Sequence, residues 1–174
     1  DHPGLIEVAK KQYEKFAGYH SLFGRLSEET LTLSDKIIEV SPFDDGRVFL
    51  CNSGSEANDT MIKMLWMLNL RKGNPHKRKI ISRINGYHGV TLGASSLTAK
   101  PYNEVFGFPL KDFIHTDCPH FWKYGLENET EENFTKRMAD NLETLILKED
   151  PNTIAGFIAE PVQGAGGVIP PSKN

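Results

Sequence analysis

RVFLC (47–51), NSGSEAND (52–59) and TMIKMLWMLNL (60–70) follow one another without a break. The first run is short, continuous and apolar, as expected of a strand buried on both faces. The last is apolar nearly all round, and a helix is expected over 55–71. Between them the chain turns through Ser53-Gly54-Ser55, and two readings of that turn are open. Ser53-x-x-Glu56 fits a capping box, which satisfies free N–H groups at a helix start. Gly54 also lets an anion approach the backbone closely, where a helix N-terminus offers unpaired donors and partial positive charge. Ser53 and Ser55 would then add hydroxyl donors. The turn is neither a Walker A loop, which needs a lysine after the glycine, nor GxGxxG.

The same alternation continues downstream. KRKIISRI (77–84) reads as a second strand, GYHGVTLGASSLT turns into a helix, and DFIHTD (112–117) suits a third strand. TEENFTKRMADNLETLILKE (130–149) is amphipathic, with Phe134, Met138, Leu142, Leu145 and Ile146 as its inward stripe. TIAGFIAEP (153–161) is another buried strand, ended by Pro161. Strands alternating with helices at this spacing imply an α/β fold, a mostly parallel sheet with flanking helices. Upstream, residues 4–17 carry Ile6, Ala9, Tyr13, Phe16 and Ala17 at helical spacing, and a second helix fits 28–40 with Leu33, Ile37 and Val40 inward. A boundary near residue 43 separates a helical segment, 1–42, from the α/β body, 43–174.

Bulk properties narrow the class. The 174 residues suit one domain or a large piece of one, with 39% hydrophobic and 25% charged residues, as in soluble globular proteins. A formal net charge of -3 gives no electrostatic reason to expect nucleic acid or an anionic membrane as partner. No apolar stretch is long enough to span a bilayer. Two cysteines make no disulfide framework, so a reducing compartment is expected, the cytoplasm or alternatively the mitochondrion. Cys51 reads as a small core residue and Cys118 as a loop residue. The start, DHPGLIEVAKKQYEK, reads as a helix already under way, and the end, VIPPSKN, follows a Gly/Pro-rich loop; the chain is expected to be a piece of a longer one.

Ligands of open α/β sheets sit beyond the carboxyl ends of the strands. Past the first run comes Asn52-Ser53-Gly54-Ser55; past the second, Asn85-Gly86-Tyr87-His88-Gly89; at the end of the last, Glu160-Pro161 and then VQGAGG. Tyr87 either fills the core or presents a flat ring for a flat ligand to stack on. His88 alone reads as a hydrogen-bonded structural histidine. Glu160 closes an apolar run, where a carboxylate needs a partner. A structural ion pair and a carboxylate kept for a ligand or a mobile cation are both open. His115, Asp117, Cys118 and His120 match no standard zinc spacing, and no metal is expected there.

Taken in order, these motifs resemble the class III pyridoxal-phosphate aminotransferases of fold type I. NSGSEAND is similar to that family's phosphate turn, NGYHGVT to its ring-stacking segment, and AEPVQGAGGVIPP to its strand-end glutamate and loop. ANDTMIKMLW, KPYNEVFGFPL and HTDCPHFWKYG resemble the branch using ω-amino acids or amines with pyruvate, which includes the GABA–pyruvate and β-alanine–pyruvate transaminases. The resemblance implies pyridoxal 5'-phosphate as cofactor, its phosphate at Ser53, Gly54 and Ser55, its ring against Tyr87 with His88 beside it, and Glu160 as a gateway glutamate. GYHSLFGR, with Tyr19, Leu22 and Phe23, resembles a segment reaching a neighbouring subunit's active site, so a homodimer is implied. The family's Schiff-base lysine lies downstream of the glycine loop and matches no motif here; Lys100 sits in the wrong segment, so the catalytic residue is left unassigned.

The implied activity is transfer of an amino group from an ω-amino acid or amine to a keto acid such as pyruvate. Two rivals stand beside it: another reaction of the same cofactor, an amino shift or decarboxylation, and a shortened non-enzymatic binding or structural module.

Overall fold

The structure, a computed structural model, describes residues 2–18, 20, 24–43 and 45–172. They divide into two units, Asp1–Leu50 and Cys51–Asn174.

The first unit holds two helices. α1 (Pro3–Lys15) starts on a proline, whose missing N–H costs nothing at a first turn, and His2 accepts the Gly4 N–H. α2 (Glu28–Val40) is capped by Ser27, which accepts from the Thr30 N–H, and carries Glu28 and Glu29 at its positive end. Lys15 Nζ reaches Glu29 Oε1 at 2.7 Å. The expected inward stripe is not buried. Ile6, Tyr13, Leu33, Ile37 and Val40 are all exposed, because no described residue of this unit forms a second layer over them. The run 47–51 is a second correction. It is not a strand, Phe49 and Leu50 are exposed, and Cys51 is exposed rather than a core residue. A strand needs a neighbour for its backbone groups, and among the described residues none pairs with this segment.

The second unit is the expected α/β body. α3 (Gly54–Arg71) leads to β1 (Lys79–Arg83), α4 (Leu92–Leu97), β2 (Phe113–Thr116), the short α5 (Phe121–Tyr124), α6 (Glu131–Lys148) and β3 (Ile154–Phe157). The three strands form one parallel sheet in the order β2-β1-β3. As the middle strand, β1 carries the most deeply buried residues, with Ile80, Ile81 and Ser82 all at 1% exposure or less. Side chains alternate along a strand. Ile80 therefore joins Ile62 of α3, Leu97 of α4 and Phe113 in one core, with Leu65 and Trp66 against it. Ser82 survives in the interior because its hydroxyl donates to the Leu97 carbonyl at 2.8 Å.

α6 forms as expected, from a Thr130 cap that accepts from Asn133 N, with Phe134 its one fully buried side chain. The Phe121 ring meets Phe134 edge-on at 5.4 Å. Arg137 clasps Glu129 through two bonds of 2.8 Å and also donates to the Tyr124 carbonyl, fixing the loop before the helix. No described helix is long and apolar enough to cross a membrane.

Phe134→Ala should destabilise this unit by about 3–5 kcal/mol, measured by denaturant unfolding. The Arg137 guanidinium holds the Glu129 carboxyl down to about 2, from an ordinary value of 4.5. The stabilisation from this pair is complete above about pH 4.5 and is lost as pH falls through 2. Glu129→Gln should remove that part of the acid dependence of the melting temperature.

Candidate cofactor site

The turn at the start of α3 satisfies both readings at once. Ser53 is the N-cap, and its Oγ accepts the Glu56 N–H at 3.2 Å. Glu56 reaches back so that Oε2 accepts the Asn52 N–H at 2.7 Å. This is a capping box extended by one residue. It leaves the N–H groups of Gly54 and Ser55 with no acceptor among the described residues. A Cβ built on Gly54 would meet nothing within 4 Å, so the turn is uncrowded at that glycine. Two free N–H groups at the positive end of an 18-residue helix fit a phosphate group.

Behind the turn, the first two turns of α3 are laced to the loop that follows β1. Ser55 Oγ accepts the Val90 N–H at 3.0 Å, Asn58 Nδ2 donates to the His88 carbonyl at 2.6 Å, and Asp59 Oδ1 accepts the Ala94 N–H at 3.0 Å. Residues 55, 58 and 59 share one helix face. Gly89 makes the approach possible: a Cβ there would collide with Ser55 Oγ, and its φ of +127° is a backbone conformation that side chains disfavour. The Ser55 hydroxyl is thus already engaged with the protein.

Tyr87 is 41% exposed, so its ring is available to a ligand rather than buried in the core. Its backbone N–H donates to Glu160 Oε1 at 2.9 Å. Glu160 Oε2 accepts the Gly164 N–H at 3.0 Å. No ion pair of Glu160 is found among the described residues; its carboxylate joins two backbone segments. Arg83 lies beside it and donates from Nη1 to the Glu160 carbonyl at 3.3 Å; burial lowers the Arg83 pKa, against a smaller opposing effect of Cys118.

His88 lies behind Tyr87 and is 8% exposed. Its N–H donates to Thr98 Oγ1 at 2.8 Å, and Thr98 in turn donates to the Gly89 carbonyl. Its ring Nε2 is buried without a partner. Burial is the main cause that pushes the imidazole pKa down; Glu160 works in the opposite sense, and His115 adds to the lowering. The ring is neutral at pH 7 and backs the Tyr87 segment as an uncharged block.

The structure therefore ties Tyr87 to Glu160 directly and the Ser53–Gly54–Ser55 turn to the 88–90 segment through Ser55 and Asn58. Tyr19, Leu22 and Phe23 lie outside the described residues. Asn58, Asp59, Thr98 and Gln163 belong to the scaffold although the motifs assign them no role, and Asn85 and Lys100 join them. For Asn58 and Asp59 the signal was available, since they fall three and four residues after Ser55. Three of the four residues at 115–120 weighed against zinc spacing have protein partners. His115 Nε2 lies 2.9 Å from the Ser96 carbonyl, Asp117 accepts from Asn141, and Cys118 faces Gln163.

Ligands of open α/β sheets sit beyond the carboxyl ends of the strands, and Tyr87 and Glu160 follow β1 and β3 there. All of residues 1–174 match the family model of class-III aminotransferases, and the chain belongs to that family. It superposes on the PMP-bound aminotransferase of Vibrio fluvialis with a TM-score of 0.96 at 63% identity, covering 99% of this chain and 38% of that one. An omega-aminotransferase from Paracoccus denitrificans gives the same values. The chain is 48% identical to the probable gamma-aminobutyrate transaminase 3, mitochondrial, of Oryza sativa, over 100% of its own length and 34% of the rice protein. It is also 48% identical to gamma aminobutyrate transaminase 1, mitochondrial, of Solanum lycopersicum, over 98% of its own length and 34% of that protein. The chain thus spans about a third of the length of the curated relatives it matches.

Thr98→Val keeps the side-chain volume but strands the buried His88 N–H. It should cost about 1–3 kcal/mol in denaturant unfolding, more than an apolar substitution of an exposed threonine.

Proposed function

We propose that this chain is the cofactor-holding part of a pyridoxal-5'-phosphate-dependent transaminase, which moves an amino group from an amine or ω-amino acid to a keto acid such as pyruvate. Residues 43–174 are read as part of the cofactor domain and 1–42 as a separate helical segment. The observation that carries the reading is the pair of N–H groups at Gly54 and Ser55 that have no acceptor among the described residues, at an uncrowded helix start, together with the exposed Tyr87. It is supported by 63% identity to a structure described as PMP-bound.

In this reading the Gly54 and Ser55 N–H groups hold the phosphate. Ser55 also holds the Val90 N–H and so fixes the distance between the cradle and the Tyr87 segment. Tyr87 stacks on the ring, and neutral His88 keeps that segment rigid without adding charge. Glu160 lies at the substrate side. The cofactor supplies the electron sink for breaking bonds to the amine carbon, and the protein supplies orientation and exclusion of water. The enzyme acts as a homodimer. Cys51 and Cys118 are both free thiols, which suits a reducing compartment, the cytoplasm or the mitochondrion named for the rice relative.

The test uses the full-length protein with pyridoxal 5'-phosphate, a panel of ω-amino acids and amines, and pyruvate. Alanine should form, read by chromatography; no alanine from any donor would overturn the transaminase reading. Tyr87→Ala should weaken cofactor binding and change the cofactor's absorption spectrum. Ser55→Ala should weaken binding modestly, because the backbone donors remain. Unchanged affinity and spectrum in both variants would overturn the site assignment.

A further inference from the structure

Lys100 follows α4 in an irregular segment, and its surroundings are unusual for a cation. It makes no salt bridge among the described residues. Instead Nζ donates to two neutral oxygens, Asn85 Oδ1 at 2.6 Å and the Ala165 carbonyl at 2.9 Å. Asn85 completes the other half of this contact, as its Nδ2 donates to the Gly166 carbonyl at 2.7 Å and its own N–H to the Ala99 carbonyl at 2.9 Å. The asparagine holds a φ of 66°, a conformation it tolerates better than most residues. Gly166 is where the two segments touch: a Cβ there would lie 2.8 Å from the Asn85 carbonyl oxygen.

The segment gripped in this way is a small hairpin closed by Gln163 and Ile169, which exchange both backbone bonds. Gln163 also donates to the Ile84 carbonyl at 3.1 Å. The hairpin supplies Gly164 N, one of the two donors that hold the Glu160 carboxylate; Tyr87 N is the other. Lys100 and Asn85 are thus connected to Tyr87 through a continuous chain of bonds, from ammonium and amide to hairpin, to carboxylate, to the aromatic residue.

We propose that Lys100 and Asn85 are positioning residues of the candidate cofactor site: their fork docks hairpin 163–169 on the turn after β1 and so fixes the Glu160 carboxylate and the backbone of Tyr87. The proposal rests on the reading that Tyr87 stacks on the cofactor. It gives Lys100 a role without any covalent chemistry.

The test uses the full-length protein. Lys100→Met removes both ammonium bonds. Asn85→Gly removes the fork from the other side while tolerating the positive φ. In cofactor-free protein, amide hydrogen exchange at Tyr87 and Gly164 should rise by about tenfold in each variant, with little change at Ile81 in the core. After addition of pyridoxal 5'-phosphate, each variant should bind the cofactor more weakly and show altered circular dichroism in its absorption band. Lys100→Arg should recover part of both effects, since its guanidinium can reach the same two oxygens. Unchanged exchange at Tyr87 and Gly164 in a folded variant overturns the proposal. So does raised exchange with unaltered cofactor affinity and dichroism, because the fork is then structural only. If Lys100→Met does not fold, Asn85→Gly carries the same readouts. Tyr87→Ala separates the two levels: if it leaves cofactor affinity and dichroism untouched, the stacking reading fails and the positioning role falls with it. If Tyr87→Ala disturbs them and the fork variants do not, only the positioning role fails.

Discussion

The Glu160 carboxylate is the constraint on which the strand-end region depends. Its two oxygens accept two backbone N–H groups, from Tyr87 and Gly164, that lie 77 residues apart in the chain. A half-buried carboxylate without donors would be costly. Satisfied in this way, it ties the loop after β1 to the loop after β3. Both strands end beside it, so parallel pairing places the two loops side by side, and the carboxylate sets their spacing.

The same economy of polar groups governs the start of α3. A helix start leaves N–H groups unpaired, and the chain divides them between two uses. The capping box takes the donors at Asn52 and Glu56, which stabilises the helix, while those at Gly54 and Ser55 have no acceptor among the described residues. The cap therefore leaves free the donors that the proposed phosphate site needs. The turn is braced by Ser55 and, one turn further along α3, by Asn58 and Asp59, which bond to the β1–α4 loop and the start of α4.

Much of the α/β body was legible in advance. The periodic runs at 55–71, 77–84, 112–117 and 130–149 all yield the expected element, because each apolar pattern has a face to bury against within this unit. The misreadings share one cause. RVFLC and the stripes of α1 and α2 have the composition of buried elements, yet burial and strand pairing belong to the partner surface as well as to the segment. Phe49, Leu33 and Val40 remain exposed where the described residues supply no such surface.

The sequence by itself determined the class of fold, the family and the cap at Ser53, since these rest on local periodicity, motif order and hydrogen bonds spanning three or four residues. Tertiary structure alone decided that Glu160 is a bridge, that Ser55 is already bonded, that the imidazole of His88 is buried and neutral, and that Lys100 grips a glycine hairpin. The Glu160–Tyr87, Ser55–Val90 and Lys100–Ala165 bonds each join residues 35 or more positions apart, and long-range pairing of polar groups leaves no periodic trace in the chain. NSGSEAND is a complete capping signal when read alone; the loop that braces Ser55 from behind exists only once β1 and α4 have packed against α3.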